Sequence, residues 1–211
     1  MATFLRDTVY APLRAAQLYN LLQKVAGASR DRADFIRKHV LLQPGEKLVD
    51  AGCGPGTALQ SLPIVNYFGF DPNPDYIRLA QSRYGNRGKF VCGDASNPKV
   101  QELAQDADVF LSLGVLHHLT DRQIGEMLAL ARVCLRPSGR FILYEPCFSA
   151  NDDWIGRIFM RLDRGENIKT DQQWRALVSE YFGNVDEHIR RPVYLFRYTV
   201  QVLIGRDPRL S

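Results

Sequence analysis

Cysteine is scarce in this chain and widely scattered, at positions 53, 92, 134 and 147, with no C-x-x-C pair. That spacing argues against a disulfide framework or a zinc site and suits reduced thiols in a cytoplasmic protein. Long apolar runs are missing too: none approaches the length that crosses a bilayer, and the opening MATFLRDTVY lacks a signal-peptide core. Charge of one sign does not dominate. The formal net charge is +4 over 211 residues, spread along the chain, and Arg190-Arg191 is the only adjacent basic pair near the end. Nothing in that balance demands nucleic acid. No His, Asp, Glu or Cys grouping has clear metal-ligand spacing, so no metal is expected. Internal repeats, low-complexity stretches and long linkers are absent. What is present is an ordinary hydrophobic fraction, 45%, in a length that fits one domain spanning residues 1–211.

The chain is organised around Val49-Asp50-Ala51-Gly52-Cys53-Gly54-Pro55-Gly56-Thr57. Lys47-Leu48-Val49 reads as a short buried strand, and Thr57 to Leu62 is expected to start a helix. Glycine has no Cβ and tolerates positive φ, so such a turn brings bare backbone N–H groups up to a ligand. A dinucleotide fold keeps this turn free of acid because a pyrophosphate lies there. Asp50 occupies that space, which favours a ligand offering an ammonium or a sulfonium.

Further strands end in further acids. Val65 to Phe70 leads into Asp71, 21 residues after Asp50, placed to accept hydrogen bonds from a ribose diol. Asn73-Pro74 then caps a helix that runs to about Tyr84 and stops at Gly85. Lys89 to Cys92 is a third strand followed by Gly93-Asp94-Ala95, and Asn97-Pro98 repeats the cap. Asp108 to Leu113 is nearly continuously apolar, as a central parallel strand should be. It gives way to Gly114-Val115-Leu116-His117-His118-Leu119. Thr120 and Gln123 form a capping box and Leu119 with Ile124 a staple. The helix that follows ends at Pro137-Ser138-Gly139, and Phe141 to Glu145 is the fifth strand.

At the acidic-x-G-x-G-x-G turn, and again across LSLGVLHHL…LRPSGRFILYEP, the sequence resembles the class I, seven-stranded S-adenosylmethionine-dependent methyltransferases that act on small molecules. The resemblance covers residues 45 to 147 well and the flanks only by general architecture. It implies an α/β, Rossmann-like, doubly wound seven-stranded sheet, mostly parallel with an antiparallel last strand, in the order 3-2-1-4-5-7-6. It implies S-adenosylmethionine as cofactor. Asp50, Gly52, Cys53, Gly54 and Gly56 would lie toward the amine and sulfonium, Asp71 and Pro72 beside the ribose, Asp94 and Ala95 at the adenine, and Leu113 at the reacting face. The sequence lacks the (D/N)-P-P-aromatic signature of DNA-base amino methyltransferases.

The flanks complete the domain. Residues 1–43 read as N-terminal helices covering the cofactor, 44–146 as the binding core, 147–183 as a substrate-lid insertion with the last helix, and 184–205 as a terminal hairpin. In the first part, Val9 to Val25 carries a helical stripe, Ser29 is placed to cap a second helix through Phe35, Ile36, Val40 and Leu41, and Pro44-Gly45 ends it. The resemblance lets Tyr19 and Arg30 reach the methionyl end. In the insertion, Trp154, Ile155, Ile158, Phe159 and Leu162 have helical spacing with Arg157, Arg161 and Arg164 between them. Thr170 and Gln173 make a second capping box for a helix ending at Gly183. Val185 to Ile189 and Val193 to Ile204 read as adjoining strands.

Methyl transfer from a sulfonium is an in-line displacement to which the protein adds alignment, water exclusion and, for a protonated acceptor, a base. His117 and His118 precede a helix N-terminus, which disfavours imidazolium, and at most one is expected to be catalytic. Glu145 is the second candidate, for orienting substrate. A non-catalytic S-adenosylmethionine-binding regulator, distinguished by failure to methylate any acceptor, is the alternative. An NAD-dependent oxidoreductase ranks lower, because of Asp50 and the terminal hairpin. The acceptor, whether an oxygen, nitrogen or carbon nucleophile, and the oligomeric state are not written in the sequence.

Overall fold

A computed structural model describes residues 28–148, 167–190 and 199–209. The Val9–Val25 stripe, Tyr19, the Trp154–Leu162 pattern with its arginines and the start of the last expected strand lie outside the described residues, as does the side chain of Arg30. Seven strands form one sheet in the order β3-β2-β1-β4-β5-β7-β6. They are β1 (Lys47–Ala51), β2 (Asn66–Asp71), β3 (Gly88–Cys92), β4 (Ala107–Leu113), β5 (Leu135–Pro146), β6 (Phe182–Arg190) and β7 (Val200–Pro208). Strands β1 to β5 pair in parallel, and β7 enters antiparallel between β5 and β6. This is the expected order and the expected reversal.

The central strands are apolar on both sides because both faces are covered. In β4, Val109, Leu111 and Leu113 join one cluster with Phe35, Val40, Ile77 and Ala80. Phe110, pointing the other way, joins Ile124, Met127, Leu128, Trp174 and Val178. The strand period of two thus assigns alternate residues to two cores, and each core needs its own helices. The helices are α1 (Ala28–Phe35), α2 (Pro74–Tyr84), α3 (Pro98–Ala104), α4 (Asp121–Cys134) and α5 (Asp171–Tyr181). The side chains of Asn73 and Asn97 cap α2 and α3, each with proline at the first turn. Both capping boxes form: Thr120 with Gln123 on α4, and Thr170 with Gln173 on α5.

Several boundaries differ from expectation. The segment after the glycines is a single 3-10 turn, Thr57–Gln60, and not a helix. Pro63 follows closely, and a proline within the next turn would remove a helical hydrogen bond and clash with the carbonyl four residues back. Ser29 lies within the helical run rather than capping it. A turn of π-helix, Ile36–Val40, extends α1, and Leu41 closes it with φ of 41° and is exposed rather than part of the apolar stripe. Pro137-Ser138-Gly139 does not lie beyond the sheet but inside β5. Leu135 pairs with Ala107 and Arg140 with Val109, so the residues between bulge out where proline has no N–H to give. Gly183 belongs to β6, and α5 stops at Tyr181.

Candidate functional site

The strand order changes direction at β1, which pairs with β2 on one side and β4 on the other. In an open α/β sheet the crevice at the strands' C-terminal ends beside that switch is where ligands bind. Parallel register carries Asp50, Asp71, the Asp94 turn and Leu113 to this one edge.

The glycine turn is built for close approach. Gly52, Gly54 and Gly56 have φ of 68°, 53° and 75°, a region other residues enter at a cost. An added Cβ at Gly52 would lie 2.6 Å from Val115 Cγ2, so β1 and the turn after β4 touch there. The N–H groups of the turn are not bare, contrary to expectation. Gly52 and Cys53 both donate to the Phe70 carbonyl, at 2.9 and 3.0 Å, and Gly56 donates to Cys53. Gly54 N–H donates to Asp71 Oδ2 at 3.0 Å. With those amides engaged, the charged side chains are left to recognise a ligand.

Asp50 is buried, and Tyr67 donates its hydroxyl to Asp50 Oδ2 at 2.6 Å. Burial pushes its carboxyl up to about 6, against the opposing pull of the Tyr67 hydrogen bond and the charge of Arg32. Gly69 makes room for this pair. A Cβ there would meet Cys53 Sγ at 2.9 Å and the Tyr67 ring at 3.0 Å. A glycine inside a strand often marks such an approach, and this was the available sequence signal for Tyr67. The Cys53 thiol is buried, and burial raises its pKa far above the ordinary thiol value, so it is an inert packing group.

Asp71 Oδ1 also accepts the N–H of Asn73 at 2.8 Å. Both oxygens hold backbone, and each retains lone-pair capacity for a hydroxyl. Asp94 is exposed, and Oδ1 takes both the N–H and the hydroxyl of Ser96, which hold its carboxyl below the usual range. Ala95 is buried with its carbonyl bonded to Gln101. Pro72 is exposed between these turns. Leu113 is buried, and Gly114 beyond it has φ of 66° and donates to the Tyr144 carbonyl.

On the β4 side the structure joins two of the candidates. His117 Nδ1 lies 2.5 Å from Glu145 Oε2, with both side chains buried. Glu145 Oε1 accepts the N–H groups of Val115 and Leu116, at 2.8 and 2.7 Å. A carboxylate already taking two donors acts as acceptor toward the ring as well. His117 Nδ1 therefore carries a proton that it donates to the carboxylate. Glu145 is fully buried and holds the His117 ring and two backbone N–H groups of the turn. His118 is exposed, its ring 3.9 Å from that of His117.

Sequence reasoning did not name Arg32. The Arg32 guanidinium acts on Asp50, and its Nη2 is 4.0 Å from the point a Gly114 Cβ would occupy, while His117 Cε1 is 3.8 Å from that same point. No hydrogen bond or ion pair joins Arg32 to another described residue. A half-buried cation thus stands between Asp50 and the histidine turn.

The strand order 3-2-1-4-5-7-6 with its antiparallel last strand is that of the class I S-adenosylmethionine-dependent methyltransferase fold. Residues 48–139 match the family described as a methyltransferase domain. Over 106 residues it is 32% identical to the probable tRNA methyltransferase 9B of Mus musculus, covering 48% of this chain and 22% of that one. The chain spans between 22% and 31% of the length of curated relatives it matches. Among solved structures it is similar to the YcgJ protein from Bacillus subtilis, with TM-score 0.66 and 16% identity, covering 86% of this chain and all of that one. It is also similar to phosphoethanolamine N-methyltransferase 2 of Haemonchus contortus, solved with phosphomonomethylethanolamine and S-adenosylhomocysteine, with TM-score 0.65 and 11% identity, over 85% of this chain and 53% of that one. The cofactor of the domain is S-adenosylmethionine. Among the described residues no helix is long and apolar enough to cross a membrane.

Proposed function

We propose that this chain transfers a methyl group from S-adenosylmethionine to a small-molecule acceptor seated against the histidine turn, and that it does so in the cytoplasm. The observation that carries this reading is the buried His117–Glu145 pair beside a crevice that also presents Asp50 and Arg32. The cofactor's sulfonium supplies an electrophilic methyl group. The residues of the chain bind, orient and deprotonate. Asp50 accepts the ammonium and Arg32 takes the carboxylate of the methionyl end. Asp71 accepts the ribose hydroxyls. Asp94 accepts the adenine amino group, and Ala95 meets the ring. His117 Nε2 removes the acceptor's proton where the nucleophile carries one, a contribution of about 10²- to 10⁴-fold. His118 lines the outer side of the same turn.

A tRNA acceptor, which the name of the mouse relative mentions, is less well supported. The net charge is only +4. Arg78, Arg136, Arg140, Arg175 and Arg206 are each paired with an acid. Incubation with methyl-labelled cofactor and either metabolite extract or bulk tRNA tests the reading. Label is expected in a small molecule and lost with His117→Ala. Label confined to tRNA, or transfer indifferent to His117, would overturn it.

Arg32→Met carries its own expected result. S-adenosylhomocysteine affinity should fall about 10- to 100-fold, the scale of a lost charge-assisted bond. Methylthioadenosine, which lacks the amino-acid end, should bind both forms equally in calorimetry.

A further inference from the structure

The histidine turn is held from two directions, and the second hold is not part of the sheet. From the sheet side, Gly114 N–H bonds to Tyr144, and Val115 and Leu116 N–H bond to Glu145. Within the turn, His118 N–H bonds to Val115 O and Leu119 N–H to Leu116 O. Two further carbonyls of the turn, His117 O and Leu119 O, are bonded from outside the sheet. A single residue takes both. Asn167 N–H donates to His117 O at 3.1 Å, and Asn167 Nδ2 donates to Leu119 O at 3.1 Å.

Asn167 is itself held. Its Nδ2 also reaches Asp121 Oδ1 at 2.8 Å, and its Oδ1 accepts from Lys169 Nζ at 2.9 Å. Lys169 Nζ bonds the same Asp121 oxygen at 2.7 Å, and Phe148 N–H bonds the Lys169 carbonyl at 3.1 Å. The segment entering α5 is thereby fastened both to the end of β5 and to the first residue of α4. A backbone with its carbonyls satisfied on both flanks cannot rotate without breaking several bonds, and the ring it carries keeps one direction.

We infer that Asn167 is a positioning residue for His117: it fixes the backbone of the histidine turn from the segment entering α5 while Glu145 fixes the ring from the sheet. The inference rests on the reading of His117 as the base, and nothing in the spacing of the sequence announces it. The hold extends to the ring through the turn's own hydrogen bonds, because a turn released at Leu119 O, the carbonyl the Asn167 side chain takes, can shift the imidazole off Glu145.

The test follows the His117 Nδ1 proton by imidazole nitrogen and proton NMR in the full chain, assigned by its loss in His117→Gln. Asn167→Ala keeps the backbone N–H that bonds His117 O and removes the side-chain bond to Leu119 O. It is expected to speed solvent exchange of the Nδ1 proton about tenfold, the scale of one lost hydrogen bond. Lys169→Met removes the neighbouring ion pair to Asp121 without touching the turn's carbonyls. It is expected to lower the melting temperature while leaving the proton's exchange as in wild type. Wild-type exchange in Asn167→Ala, or equal acceleration in Lys169→Met, overturns the inference. The readout does not depend on methyl transfer. If transfer instead proves indifferent to His117, the reading of the base fails while the exchange result still stands or falls by itself.

Discussion

Asp50→Asn is expected to melt at a higher temperature than the wild-type protein and to bind S-adenosylhomocysteine far more weakly. The carboxyl is buried, and burial pushes its pKa up to about 6 from an ordinary 3.8. Between those values the folded chain binds more protons than the unfolded one, so stability falls as pH rises through the window and the penalty is complete above about 6. The shift corresponds to about 3 kcal/mol. Asparagine removes the charge and can still accept the Tyr67 hydroxyl, but its amide needs a partner, so a net gain of about 1–2 kcal/mol is expected at neutral pH. Loss of the charge facing the ligand's ammonium should cost about 10- to 100-fold in affinity. Wild-type affinity should also decline as pH drops below about 6, and Asp50→Asn should show no such decline. Thermal melts and titrations at several pH values check each part. A variant that melts lower and binds normally would remove Asp50 from the site.

Glu145→Gln is expected to leave the sheet intact and to silence the base. The glutamine oxygen can still accept Val115 and Leu116 N–H, but its amide would point a donor at His117 Nδ1. The ring must then become the Nε2–H tautomer, which cannot take a proton from an acceptor. The loss should approach the full contribution of a general base, about 10²- to 10⁴-fold in turnover, by the same logic that governs the orienting carboxylate of a Ser-His-Asp triad. Glu145→Ala differs in kind. It strands two backbone donors and a ring nitrogen in the interior, at about 1–3 kcal/mol each, and should show first as a lower melting temperature. Labelled methyl incorporation and imidazole nitrogen shifts separate the two variants.

The framework was legible because it is punctuated locally. Each acid ends or follows a strand, helices α2 to α5 each open on a capping Asn or Thr, and strand order follows once the terminal hairpin is recognised. What the sequence hid is tertiary. Tyr67 reaches Asp50 from 17 positions away and Glu145 reaches His117 across 28, and no local signal pairs them. The bare amides expected in the glycine turn were wrong for a related reason. Phe70 and Asp71, on the adjacent strand, take up most of them, and only register reveals that.

The central claim is that separated strand ends converge on one adenosyl donor, and Asp71 is its most direct witness. Calorimetric titration of S-adenosylhomocysteine into wild type and into Asp71→Asn, with folding of the variant checked by its melt, tests it. The account predicts saturable one-to-one binding by wild type and binding at least about tenfold weaker by the variant, from a lost charge-assisted bond to the ribose diol. Equal affinity in the two proteins, or no binding by the folded wild type, would contradict it.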